Sequence, residues 1–131
     1  MRDAAYFDNW YADMAASPAR DAIIARTMGL PPELRFAGVL PWQGLAEVTE
    51  ELRLPQDGLL LDIACGRGGY GIEVARRAGT RLVGVDFSAV ALEQAKLISA
   101  RRLPAGCPPA GPSSSSVPCS PRACARESGT G

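Results

Sequence analysis

Residues 61–71, which read Leu-Asp-Ile-Ala-Cys-Gly-Arg-Gly-Gly-Tyr-Gly, decide the fold. Residues 59–64, which overlap the start of this stretch, form a short apolar run. Such a run is typical of a parallel strand covered on both faces. The glycines that follow allow the backbone to approach a ligand and to present N–H groups at the start of a helix. The stretch therefore predicts a strand, a glycine-rich binding turn and a helix.

The residues that follow continue the same alternation. A helix is predicted over residues 70–78, ended by Gly79, and a second strand over residues 81–86. Ser88 is a suitable cap for another helix over residues 89–102. Strand, helix, strand and helix predict an α/β fold that contains the start of a parallel sheet.

The N-terminal part of the chain is predicted to be helical, over residues 3–16, 18–28 and 42–52. Ser17 is expected to cap the second helix with its side chain, and Gly29 lies just beyond the end of that helix. Aromatic residues recur at helical spacing in the first helix. The stripe comprises Tyr6, Phe7, Trp10 and Tyr11. Tyr6, Trp10 and Tyr11, together with Trp42, either pack against neighbouring helices, which is the commoner case, or line a ligand pocket.

Residues 104–131 differ in composition from the rest of the chain. They contain six prolines, six serines and four glycines, and Val117 is their single branched aliphatic residue. Such a segment buries too little apolar surface to offset its conformational entropy, so the sequence predicts a disordered tail.

Composition excludes several classes of function. The formal net charge is zero, so no basic surface indicates a nucleic-acid or membrane partner. The start of the chain has no signal-peptide pattern, and we expect a cytoplasmic protein. The chain has four cysteines at spacings that match no zinc site, and its lack of histidine removes the commonest general base. No metal site and no catalytic residue are predicted, and Cys65 is expected to be a small residue of the turn.

The glycine pattern by itself fits two classes of ligand. Gly66, Gly68 and Gly71 match G-x-G-x-x-G, the dinucleotide pattern, and Asp86 follows Gly66 by 20 residues. Asp62, however, ends the first strand just before the turn. Its carboxylate would repel a pyrophosphate and attract the cationic ammonium and sulfonium of S-adenosylmethionine.

Asp86 is expected to hydrogen-bond ribose hydroxyls in either class, with Phe87 against the adenine ring. Arg67 is expected to be a solvated residue of the turn.

Two adjoining segments resemble class I S-adenosylmethionine-dependent methyltransferases. Residues 59–75 resemble the first motif of that family, a strand followed by D-x-A/G-C-G-x-G, and residues 82–95 resemble the second, G-x-D-x-S-x-x-x-L-x-x-A. The resemblance implies that Asp62, Ala64, Gly66 and Gly68 surround the methionine moiety and that Asp86 binds the ribose. The complete set of predicted cofactor-binding residues is Asp62, Ala64, Cys65, Gly66, Gly68, Asp86 and Phe87.

The resemblance also implies a domain organisation. Residues 1–57 correspond to a helical cap over the substrate, residues 58–103 to an incomplete Rossmann-like domain, and residues 104–131 to the tail. The family sheet has the strand order 3-2-1-4-5-7-6, of which this chain supplies strands 1 and 2. We therefore expect the first strand to lack a partner on one side and to expose an apolar edge.

The activity implied by the resemblance is methyl transfer to a small molecule. Because strands and helices of the family fold are missing, we expect a truncated form with little or no activity. Two alternatives remain open, namely a fragment of an NAD(P)-binding oxidoreductase and a remnant that binds ligand without catalysis.

Overall fold

The computed structural model describes residues 2–36, 38–103 and 117–119. Three helices precede the first strand, and strands then alternate with helices. The predicted boundaries hold to within two residues for every predicted helix and strand. The elements are α1 (Ala4–Ala15), α2 (Pro18–Met28), α3 (Trp42–Glu51), β1 (Leu59–Ile63), α4 (Gly69–Ala78), β2 (Arg81–Val85), α5 (Ala89–Arg102) and β3 (Val117–Cys119).

The helix ends follow the predicted capping signals with one exception. Ser88 Oγ accepts a hydrogen bond from the backbone N–H of Ala91 and so caps α5. Gly29 ends α2 in the left-handed conformation, with φ of 66°. Ser17 precedes α2 as expected, but its side chain makes no capping hydrogen bond. The proline at the first position of α2 still stabilises that helix start, since its ring holds φ near the helical value.

The sheet is built on a parallel pair. Strands β1 and β2 run parallel, with Leu60 beside Leu82 and Asp62 beside Gly84. The face that carries Leu60 and Leu82 packs into the main core together with Leu45, which is fully buried. This core joins α2, α3, α4 and α5 to the sheet.

The opposite face of β1 is open among the described residues. Leu59, Leu61 and Ile63 are 56%, 55% and 74% exposed, and the sheet order β1-β2-β3 leaves β1 without a second partner. The expectation that β1 lacks a strand partner on one side is therefore confirmed for the described part of the chain, whereas the open face differs from the expectation of a strand covered on both faces. Large aliphatic side chains in such a position favour association with other molecules.

The predicted disordered tail, residues 104–131, lies outside the described residues except at β3. There the structure differs from the prediction, because β3 pairs with β2 in an antiparallel register that places Leu82 beside Cys119. The strand stands where the resemblance places the third strand of the family sheet, but it runs in the opposite direction. Pro118 has no N–H to donate, which suits an outermost strand.

Candidate functional site

The site lies where β1 and β2 end at the same edge of the sheet, the position at which open α/β sheets bind ligands. The chain leaves β1 through Ala64, which has a φ of 59°, and turns at Gly66 and Gly68, with φ of 54° and 76°. A left-handed conformation is unfavourable for alanine, and such residues cluster at binding sites. The turn then enters α4, whose first N–H groups point toward the site.

Asp86 fastens the turn to the end of the neighbouring strand. Its Oδ2 accepts a hydrogen bond of 2.7 Å from the backbone N–H of Gly66, and its Oδ1 accepts one of 2.8 Å from Ser88. The backbone N–H of Cys65 adds a bond of 2.9 Å to the carbonyl of Val85. An ionised carboxylate has about four lone-pair sites, so Asp86 retains capacity for two further donors from a ligand.

Asp62 is a half-buried carboxylate without a compensating cation. Its side chain lies against the Cα of Gly71, in the first turn of α4. None of the hydrogen bonds or ion pairs of the described residues satisfies it, and the pKa of Asp62 is raised by burial and by the nearby charge of Asp86. Two carboxylates therefore approach each other at the ends of β1 and β2, and a cation placed there would be favoured.

Cys65 faces the helix behind the turn. Its side chain packs against Leu92 and Ala95 of α5. Burial, together with the charges of Asp62 and Asp86, raises the pKa of the thiol to about 12. The thiol therefore stays protonated at neutral pH, which agrees with the prediction that Cys65 is not a nucleophile.

Phe87 follows β2 and is 76% exposed. It sits directly after Asp86, at the strand end where the site lies, and its ring is free to contact a ligand bound by Asp86. The predicted site residues thus all lie near one edge of the sheet: Asp62 near the end of β1, Ala64, Cys65, Gly66 and Gly68 on the turn, and Asp86 and Phe87 just after β2.

Helix α1 contributes Asp8, which sequence reasoning missed, and Tyr11, for which it left packing and pocket lining as alternatives. The hydroxyl of Tyr11 lies so close to Gly66 that a Cβ at that position would stand 2.5 Å from it. Asp8 accepts hydrogen bonds from Ser88 Oγ at 2.6 Å and from the Val90 N–H at 3.2 Å, which ties α1 to the start of α5. The aromatic stripe contained the signal for Tyr11, whereas no local pattern distinguishes Asp8.

The environment of Tyr11 confirms the packing interpretation for this residue, and the lining of a ligand pocket stays a prediction. Tyr11 is buried against Met14 and Ala91, and its ring meets that of Trp10 edge to face at 4.8 Å. The pKa of Tyr11 is raised to about 12, mainly by burial and secondarily by the nearby charge of Asp86. The hydroxyl is therefore neutral at pH 7 and can donate a hydrogen bond beside Gly66.

Arg67 corrects the expectation of a solvated turn residue. Its side chain is 3% exposed, and both terminal nitrogens donate to the carboxylate of Asp21 on α2 at 2.8 Å. Arg35 donates to the same carboxylate at 2.6 Å. The turn is thus anchored from beneath by a residue 46 positions earlier in the chain. That separation is why no sequence pattern revealed the contact.

Comparison with known proteins assigns this region. Residues 60–106 match the family model described as a methyltransferase domain. No curated protein and no solved structure matches the chain. The family match runs from β1 through α5 and includes both strand ends of the site. This part of the chain is therefore a class I methyltransferase-like domain with an incomplete Rossmann-like α/β fold.

Two further searches concern the described residues alone. No helix among them has the length and hydropathy needed to cross a bilayer. Within the same ranges, no three side chains of His, Cys, Asp or Glu come together as metal ligands would.

Proposed function

We propose that the domain binds S-adenosylmethionine and serves the transfer of its methyl group to a small molecule. The observation that carries the proposal is the uncompensated carboxylate of Asp62, whose pKa is raised beside Asp86. A ligand with a cationic ammonium and a sulfonium relieves that repulsion, whereas the pyrophosphate of a dinucleotide would increase it. The methyltransferase-domain match supports the same choice.

The residues of the site have separate tasks in this proposal. Asp62 attracts the cationic methionine end, and the spare lone pairs of Asp86 accept the ribose hydroxyls. The exposed ring of Phe87 stacks on the adenine. Because the Cys65 side chain is turned toward α5, its contribution to binding comes from its backbone.

The bound cofactor supplies an electrophilic methyl group on a cationic sulfur, and the protein mainly positions it. Tyr11 and Asp8 hold α1 beside the turn, so α1 acts as the wall of the cap nearest to the donor. No group in the described residues is placed as a general base. We therefore propose that this 131-residue chain binds the donor and transfers the methyl group slowly or not at all.

Calorimetry with S-adenosylhomocysteine and with NAD tests the ligand class. We expect heat of binding with the first and none with the second, and weaker binding of the first in the Asp62→Asn variant. Binding of NAD alone would refute the proposal in favour of the oxidoreductase interpretation. Methyl transfer from labelled S-adenosylmethionine then separates an active enzyme from a remnant that binds without reacting.

A further inference from the structure

A cavity lies apart from the predicted methyl-donor residues. Its volume is about 230 Å³, and it is bounded by the end of α1, the loop at Arg35, the turn and the stretch of α5 from Gln94 to Arg101. None of the predicted cofactor-binding residues lines it. The side chains used below are Arg35, Arg67, Gln94, Leu97, Ile98 and Arg101.

The charge around this cavity is positive. Three arginines line it and no carboxylate does. Asp21 neutralises one positive charge, because it pairs with both Arg35 and Arg67. Arg101 is exposed, and no described residue forms an ion pair with it. The excess of guanidinium groups favours an anion, and a carboxylate matches the paired N–H groups of a guanidinium.

Two of the lining residues carry buried polar atoms without a partner among the described residues. These atoms are Arg67 Nε, a donor, and Gln94 Oε1, an acceptor. The Gln94 amide has a defined orientation, because its Nε2 donates to the carbonyl of Tyr11 at 3.1 Å. Buried polar atoms in native proteins are nearly always satisfied, so a bound molecule that accepts at one point and donates at another is expected.

We propose that this cavity binds a small carboxylic acid that also carries a hydroxyl or amino group. The carboxylate accepts a hydrogen bond from Arg67 Nε and pairs with Arg101, the hydroxyl or amino group donates to Gln94 Oε1, and the short carbon chain lies on Leu97 and Ile98. The volume is below the range of about 300–1,000 Å³ typical of pockets for drug-sized ligands, which limits the ligand to a small molecule.

The position of Arg67 links this cavity to the turn. Arg67 lies between Gly66 and Gly68, so a ligand that contacts it acts on the backbone that the proposed methyl donor approaches. Such coupling is reciprocal, and each ligand changes the affinity of the other by the same factor. The binding site itself does not depend on the identity of the donor, because none of its residues belongs to the donor site.

Titration calorimetry on the full 131-residue chain tests the proposal, with sodium L-lactate as the probe. Sodium acetate, which lacks the hydroxyl, sodium phosphate and sodium chloride at matched ionic strength are the comparisons. We expect lactate to bind several-fold more tightly than acetate and phosphate, and chloride to give no saturable heat. Equal binding of lactate and acetate would contradict the contact with Gln94, and tighter phosphate binding would contradict the carboxylate assignment.

Two variants locate the site. Arg101→Gln removes an exposed charge at the cavity and should weaken lactate binding at least tenfold. Arg26→Gln removes an equally exposed arginine on α2, outside the cavity, and should leave lactate binding unchanged. Equal affinities for lactate in both variants and the unmodified chain would overturn the proposal. Circular dichroism melts of the variants establish that both remain folded.

Discussion

The carboxylate of Asp62 occupies the space in which a β-carbon on Gly71 would lie. The contact joins the end of β1 to the first turn of α4, and it assigns a role to the third glycine of the pattern. Gly71 has an ordinary helical backbone, so it is required here for its lack of a side chain. The glycine allows the Asp62 carboxylate to sit over the start of the helix.

Gly71→Ala should therefore displace Asp62. We expect the affinity for S-adenosylhomocysteine to fall at least tenfold, because the added methyl group occupies the place of the carboxylate that holds the cation. Calorimetry measures the change. Gly44→Ala is a matched control, since Gly44 is also the third residue of a ten-residue helix. Its added Cβ comes close to the flexible end of Leu40 and otherwise meets Pro41 at ordinary van der Waals distance. An unchanged affinity in Gly71→Ala would disprove the spatial argument.

Asp62→Asn should raise the stability of the ligand-free protein and weaken ligand binding. The pKa of Asp62 is raised by burial first and by Asp86 second, so the ionised form is unfavourable in the folded ligand-free protein at neutral pH. The variant should melt at a higher temperature than the unmodified chain at pH 7. It should also bind S-adenosylhomocysteine about 10- to 100-fold more weakly, as expected for the loss of a hydrogen bond to a charged group.

The difference in melting temperature has a defined pH dependence. A folded-state pKa above the unfolded value means that the cost of Asp62 is present at high pH and disappears as the pH falls through the folded pKa. The two proteins should therefore converge in acid. Asp13→Asn, at an exposed position on α1, is the control and should change neither property. A melting temperature lowered by Asp62→Asn would contradict the repulsion between the two carboxylates.

Glu73→Gln should destabilise the fold. Glu73 is fully buried and accepts hydrogen bonds from Arg76 and Arg77 at 2.7 and 2.8 Å. Burial alone would raise the pKa of Glu73, but the two arginines outweigh it and hold the pKa below its usual value. We expect a loss of about 2 kcal/mol in the free energy of unfolding at pH 7, the range for hydrogen bonds to charged groups. Urea denaturation measures it.

The sign of the pH effect is opposite to that of Asp62. A lowered folded pKa gives stability that is present above the unfolded pKa, near 4.3, and is lost as the pH falls through the folded value. The difference between Glu73→Gln and the unmodified chain should thus shrink below about pH 4. Glu93→Gln breaks an exposed pair with Lys96 and should cost almost nothing. Equal losses in the two variants would show that burial of Glu73 is unimportant.

Asp21→Asn should weaken the attachment of the glycine-rich turn to α2. Arg67 is buried, and the substitution leaves its guanidinium without its anion, which typically costs about 3–5 kcal/mol. The affinity for S-adenosylhomocysteine should fall as well, because Arg67 lies between the two glycines of the turn. Urea denaturation and calorimetry measure the two effects. A stability change no larger than that of Asp13→Asn would indicate that the ion pair does not anchor the turn.

The elements that sequence predicted correctly are those with local signals. The ends of β1 and β2 beside Asp62 and Asp86, the cap at Ser88 and the left-handed Gly29 each depend on residues within a few positions of one another. The family match to residues 60–106 bears out the predicted class of domain, while the cationic ligand that the charge of Asp62 indicated stays a prediction.

The contacts that escaped prediction join distant parts of the chain. Asp8 meets Ser88 across 80 residues, and Asp21 meets Arg67 across 46. Both depend on how α1 and α2 pack against α5 and the turn, and no periodicity or cap records that packing. The pairing of β3 with β2 belongs to the same class, because strand partners far apart in sequence leave no local pattern.

The open face of β1 affects how stability must be measured. Association of folded molecules through Leu59, Leu61 and Ile63 stabilises the folded state by mass action. The apparent melting temperature therefore rises with protein concentration. Thermal comparisons between variants hold only at one matched concentration. Replacing Leu61 by lysine should make the melting temperature independent of concentration.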